Sequence, residues 1–240
     1  MTVRLKPTKG MDSESLRDVW IVIPAYNEES SIGKVLAQFV DKKYSLLVID
    51  DFSDDKTIEI ALKYRVTLLK HVINLGQGAA LQTGFDYILK NTNAKYIVTF
   101  DSDGQHDVND IPKLLAPLFS GEDDVVIGSR FIKSGNANGM PFPKLITLKA
   151  GILFTRISTG IKLTDTHNGL RAFSVEALKK IHITQNRMAH ASEILSQIAR
   201  YKLRYCEVPV SILYTPYSKK KGQSILNSLN ILWDLFFRRY

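Results

Sequence analysis

The chain holds a single cysteine, Cys206, in 240 residues. It therefore excludes an intrachain disulfide framework and fits a reducing compartment. Its first 17 residues, MTVRLKPTKGMDSESLR, carry no apolar core of signal-peptide length; they are expected to be a mobile lead-in, with no route to export. No stretch reaches the ~20 consecutive apolar residues that a membrane span needs. The nearest approach is SILNSLNILWDLFFRRY, where Ile225, Leu229, Leu232 and Phe236 recur at helical spacing opposite Asn227, Asn230 and Asp234. A helix over 223–240 is expected there. It packs on the domain's own core or, with Trp233 and the closing Arg238, Arg239 and Tyr240, lies at a water–lipid boundary.

Acidic residues are outnumbered. Lysine and arginine total 32 against 24 aspartates and glutamates, a net charge of +8. The excess favours anionic partners: nucleotide substrates, nucleic acid or an acidic membrane surface. With 45% hydrophobic residues, the chain can fill the core of one large α/β domain, expected over 18–222.

Apolar runs VWIVIP, YSLLVID, RVTLLKH, KYIVTF and DVVIGS read as buried strands. Between them SSIGKVLAQFV, DKTIEIALKY, GQGAALQTGFDYILK and VNDIPKLLAPLF read as helices. Such alternation implies right-handed crossovers and a mostly parallel, Rossmann-like sheet with helices on both faces. Beyond Arg130 the pattern changes. An apolar helix over 145–161, the turn LTDTHNG, a helix near ASEILSQIARY, a strand near YCEVPVSILY and the basic loop TPYSKKKGQS follow.

Ligands of a parallel sheet collect beyond the carboxyl ends of its strands. Those ends read PAYNEE, DDFSDD, NLGQG, DSDGQHD and GSRF, and four of the five carry charged groups. DSDGQHD alone admits three readings: a divalent-metal site for a diphosphate, the nucleophile loop of a phosphatase, or a polar turn without chemistry. Asp101 and Asp103, at i and i+2 in a turn, can face one ion, and Gln105 can add an amide oxygen. A dehalogenase-type phosphatase would place its Asp-x-Asp near the chain start and follow it with Thr or Val, and EF-hand spacing is absent. In PAYNEE, Pro24 redirects the chain, Tyr26 offers a stacking face, and Asn27 and Glu28 suit a ribose or base edge. Asp50 or Asp51 can accept from a base or ribose, whereas Ser53 to Asp55 suit a helix cap.

VIPAYNEE, LLVIDDFSDDKT, NLGQGAALQTGF, FDSDGQH, GSRF and DTHNGLRAF, in this order, resemble the inverting family 2 glycosyltransferases of GT-A fold. The branch most nearly resembled contains dolichol-phosphate mannosyltransferase and bacterial polyprenyl-phosphate glycosyltransferases. The resemblance covers about residues 19–224 and implies a nucleotide-sugar donor at the sheet edge with Mg²⁺ or Mn²⁺. Pro24, Tyr26, Asn27, Glu28, Asp51, Gly78, Asp101 and Ser102 then match nucleotide-sugar-binding positions. Asp101, Asp103 and Gln105 match the metal and diphosphate site. Arg130 and Arg171 match arginines that contact phosphates or the acceptor, which fits the bidentate guanidinium. The basic loop resembles one that closes over the diphosphate, with Lys219, Lys221 and Ser224 its contacts. Glu193 and Asp165 are candidate bases, each with a structural alternative at a helix start or turn. Phe52 departs from the small residue usual after the Asp pair.

The implied reaction is one in-line displacement with inversion. The acceptor is a polyprenyl phosphate or lipid-linked acceptor in surface glycan synthesis, or a glycan hydroxyl. The enzyme is expected in the cytoplasm, peripheral at the inner membrane face. A nucleotidyltransferase should show a Gly-rich loop after the first strand, where PAYNEES stands instead. A nucleic-acid binder would set acids against a phosphate backbone.

Overall fold

The computed structural model describes residues 15–132, 149, 151–153, 155–157 and 159–213. The C-terminal helix expected over 223–240, the basic loop and Lys219, Lys221 and Ser224 lie outside these residues. A 3-10 turn, Ser15–Asp18, precedes the first strand, and its Leu16 packs against the core.

Among the described residues seven strands form one sheet: β1 (Val19–Ala25), β2 (Ser45–Asp50), β3 (Thr67–Lys70), β4 (Tyr96–Thr99), β5 (Val125–Ser129), β6 (Arg171–Ser174) and β7 (Tyr205–Pro209). Val, Ile and Leu dominate the first, second, fourth and fifth because both of their faces are covered. Alternate residues serve opposite layers, so Ile21 and Ile23 join the core under α1 (Ile32–Ala37), α2 (Thr57–Ala61) and α4 (Ile111–Phe119). Val22 joins the second core, under α3 (Gln77–Asn91), α5 (Val175–Leu178) and α6 (His190–Arg200). The expected apolar segment over 145–161 is helical at residues 149, 151–153, 155–157 and 159.

The order is β3-β2-β1-β4-β6-β5-β7. Every pairing is parallel except the two made by β6, which enters between β4 and β5. The strict alternation expected from sequence breaks here. Because β6 runs the other way, its first residue, Arg171, lies opposite Thr99 near the carboxyl end of β4. The turn before β6 therefore joins the edge where the parallel strands end.

Pro24 does not turn the chain out of β1, as the sequence suggested. It pairs with Ile49 of β2. Its carbonyl points to the β4 side, where it accepts from the Ser102 hydroxyl at 2.8 Å. Pairing to β4 has already ended at Val22, so the missing N–H of proline leaves no ladder bond unmade.

Candidate functional site

Asp101 follows β4 by two residues, and three elements shape its carboxylate. Gln77 at the start of α3 donates its amide to Oδ1 at 2.9 Å, and His106 Nε2 meets Oδ2 at 2.9 Å. Gly169, in the turn before β6, leaves the room: a Cβ there would stand 2.2 Å from Oδ2. The turn is tied down by Thr99, whose hydroxyl donates to the Gly169 carbonyl at 2.6 Å.

Two residues on, Asp103 accepts from the Gln105 amide N–H at 3.0 Å. The pair titrates apart. Burial raises the Asp101 carboxyl, but the His106 hydrogen bond and charge, with His190 and Arg171, bring its net direction down. Burial, the Asp101 charge and more distantly Glu28 push Asp103 up to about 6. A carboxylate whose ionisation is disfavoured by burial and by a neighbouring carboxylate is one that a bound cation would relieve. Among the described residues no group of three or more His, Cys, Asp or Glu side chains converges on an ion position. Asp101, Asp103 and Gln105 are the residues that would hold a divalent ion, and so small a protein ligand set would leave positions for phosphate oxygens, as Mg²⁺ or Mn²⁺ requires.

The ends of β1 and β2 are knitted together. The Asn27 N–H donates to the Ser53 hydroxyl and the Asn27 side-chain oxygen accepts from the Asp54 N–H. The Glu28 N–H donates to Thr57 Oγ1 at 2.7 Å, and Ser31 donates to the Glu28 carboxylate. Asn27 and Phe52 take positive φ of 52° and 67° to make these turns. Tyr26 is 45% exposed and Phe52 47%. An aromatic residue in the left-handed region costs roughly 1–2 kcal/mol.

Several expected contacts are engaged elsewhere. Asp51, anticipated as a nucleotide ligand, is buried; its Oδ1 meets His71 Nδ1 and the Leu75 N–H, and its Oδ2 the Gly76 N–H. It anchors the β3–α3 loop, and His71 fastens that anchor to Thr83 of α3. Ser102 is buried and holds the end of β1. Gly78 donates its N–H to the Asn186 carbonyl at 2.7 Å, and a Cβ there would meet the Gln185 carbonyl at 2.0 Å, so glycine serves chain packing.

Neither arginine presents a free fork. Arg130 pairs with the buried Asp165 at 2.6 and 2.7 Å, Nε to Oδ2 and one terminal nitrogen to Oδ1. Arg171 is buried and donates to the backbone carbonyls of Asn168, Ala191 and Thr166. Asp165 is therefore an ion-pair partner and not a proton acceptor at an open site. Glu207 of β7 caps this turn by accepting from the N–H groups of Thr164 and Asp165. Burial of His167 and His190 pushes each ring down to about 4, so both stay neutral.

Glu193, the other candidate base, accepts from the Thr184 N–H and hydroxyl and the Gln185 N–H. That segment lies on Gly78, one residue from Gln77. Glu193 thus braces the wall behind Asp101. Glu193→Ala is expected to lower unfolding free energy by about 1–3 kcal/mol, seen in urea titration. The shape of any pH–rate profile should stay unchanged, since no base is lost.

Gln77, His106, Gly169 and Glu207 were not assigned from sequence. A glutamate inside the apolar YCEVPV was the visible signal for the last; the others sit in or beside recognised motifs, but their direction depends on the fold.

The sequence model described as "Glycosyl transferase family 2" matches residues 20–182. An uncharacterised protein of Methanocaldococcus jannaschii is 35% identical over 242 residues, covering 100% of this chain and 99% of its own length. A Methanococcus voltae protein named UDP-N-acetylglucosamine–dolichyl-phosphate N-acetylglucosaminyltransferase is 31% identical, covering 90% of this chain and 94% of its own. Among solved structures, Mycobacterium tuberculosis glucosyl-3-phosphoglycerate synthase in complex with Mn²⁺ and UDP-glucose superposes with a TM-score of 0.68 at 20% identity. That match covers 93% of this chain and 79% of that one, a likeness of fold.

Proposed function

Because the chain belongs to glycosyl transferase family 2, in the branch of the polyprenyl-phosphate sugar transferases, we propose that it moves one sugar from a UDP- or GDP-sugar to a polyprenyl phosphate. The carrying observation is the pair Asp101 and Asp103 at the carboxyl edge of the sheet, one lowered and hydrogen-bonded, the other raised to about 6. A bound Mg²⁺ or Mn²⁺ would supply Lewis-acid stabilisation of the departing diphosphate.

The chain's own residues do the rest. Tyr26 offers its face to the base, and Glu28 and Asn27 fix the loop beside it. Asp101, braced by Gln77 and His106, and Asp103, with Gln105, hold the diphosphate end. Lys219, Lys221 and Ser224 would contact the same phosphates. Asp51, Ser102, Gly78, Arg130, Arg171 and Asp165 support the walls.

The acceptor follows from what the acids are doing. A glycan hydroxyl needs a base, and both candidates, Asp165 and Glu193, are engaged in internal bonds. A phosphate monoester is already an anion and attacks without one. This favours the lipid phosphate, as does the printed name of the Methanococcus voltae relative. Among the described residues no helix is long and apolar enough to cross a membrane. Contact with the inner membrane face is assigned to the C-terminal segment and its arginines.

The test is nucleoside diphosphate release from UDP- and GDP-sugars on polyprenyl-phosphate vesicles, with and without Mn²⁺. Release that depends on both vesicle and ion is expected; a protein that binds neither UDP nor GDP with Mn²⁺ removes the reading. Acid should weaken the ion. With Asp103 at about 6, Mn²⁺ affinity holds above that pH and falls about tenfold per unit below it, measured by calorimetry.

A further inference from the structure

We propose that His106 is a positioning residue, whose ring fixes the Asp101 carboxylate for the metal-bound diphosphate. This rests on the function proposed above.

The ring has one place to go. Its side chain is 3% exposed, its Nε2 sits 2.9 Å from Asp101 Oδ2, and its plane meets Phe100 edge-on with centroids 5.3 Å apart. The backbone is held as well: His106 bridges Ile212 in antiparallel fashion, and the Leu213 N–H donates to the Gln105 carbonyl at 2.9 Å. The other nitrogen, Nδ1, is buried without a hydrogen-bond partner among the described residues. A hydrogen on Nδ1 would have no acceptor, so the geometry selects the tautomer with its hydrogen on Nε2, donating to Asp101.

This donor completes an enclosure. Gln77 holds Oδ1, His106 holds Oδ2, and the Gly169 backbone presses so close that no Cβ fits. A carboxylate so fixed presents its remaining lone pairs in one direction. Outer-shell hydrogen bonds of this kind set ligand orientation, and losing one typically costs about ten- to a hundredfold in metal affinity. A histidine that merely filled space would need neither the contact with Asp101 nor a chosen tautomer.

Two variants separate these roles. His106→Leu fills the volume without a donor, whereas His106→Gln places an amide N–H where Nε2 stood. Mn²⁺ binding in the presence of UDP or GDP is read from the free-ion paramagnetic signal, alongside calorimetry of UDP without metal and melting without ligand. His106→Leu should weaken Mn²⁺ by about ten- to a hundredfold, and His106→Gln should stay within about threefold of wild type. Nucleotide affinity without metal should be unchanged in both. Equal Mn²⁺ affinity in His106→Leu and wild type overturns the proposal. So does a loss in His106→Gln as large as in His106→Leu, or one that follows the drop in melting temperature. Wild type that takes up no Mn²⁺ with either nucleotide fails the functional reading itself, a result distinct from those.

Discussion

Sugar transfer by Asp103→Asn is expected to fall by about 10²–10³-fold, while the same variant should melt higher than wild type. Loss of transfer would follow from removing one of the two carboxylates proposed to hold the ion beside a departing diphosphate, where electrostatic stabilisation of that size is concentrated. Gain of stability follows from the pKa. Burial and the Asp101 charge hold Asp103 up at about 6, against a reference of 3.8. A carboxyl raised on folding favours the native state when protonated. Its contribution is whole below the unfolded value and lost as pH rises through about 6. At neutral pH the wild type therefore carries an unfavourable charge that asparagine removes, a gain of roughly 1–2 kcal/mol after allowing for solvent at the site. That corresponds to about 2–8 °C for a chain of this size. Differential scanning calorimetry at pH 5 and 7.5 checks the sign: the advantage of the variant should shrink at the lower pH. A variant less stable than wild type at both would contradict the account.

Asp165→Ala is expected to lose about 3–5 kcal/mol of unfolding free energy, because it leaves the Arg130 guanidinium buried without its carboxylate. The side chains are 0% and 6% exposed, and two of their contacts are shorter than 2.8 Å. The same carboxylate also accepts from the Arg130 N–H at 3.2 Å, so the end of β5 loosens with the pair. Replacing both partners by apolar residues of similar volume, Arg130→Met with Asp165→Leu, should recover most of the loss, since no buried charge is then stranded. Urea unfolding of the two variants distinguishes the outcomes. Equal destabilisation by the single and double changes would show that the ion pair itself, and not its uncompensated half, supports the turn.

Much of this molecule was legible in its residues, for local reasons. Runs such as VWIVIP and SLLVID become strands because every residue can be buried, and GQGAALQTGFDYILK becomes α3 because its apolar positions fall on one helical face. Turn residues at each strand end placed Asp101, Asp103 and Tyr26 at the edge correctly. The sequence of β6, Arg171–Ser174, carried no sign of its direction. Four residues have the same pattern read either way, and only pairing with β4 and β5 decides that the strand is antiparallel.

The side chains show the same division. Asp51, Arg130, Arg171 and Glu193 are the residue types a nucleotide-sugar site needs, in the order the family pattern has them. A carboxylate or guanidinium that grips a ligand is nevertheless the same letter as one that grips the chain. By itself the sequence determined the sheet-forming runs, the acidic pair and the family, because these depend on residue type and near-neighbour spacing. Tertiary structure alone decided which charges remain available: partners such as Arg130 and Asp165, 35 residues apart, meet only after folding. Once buried, a charge must satisfy its nearest partner before it can serve a substrate.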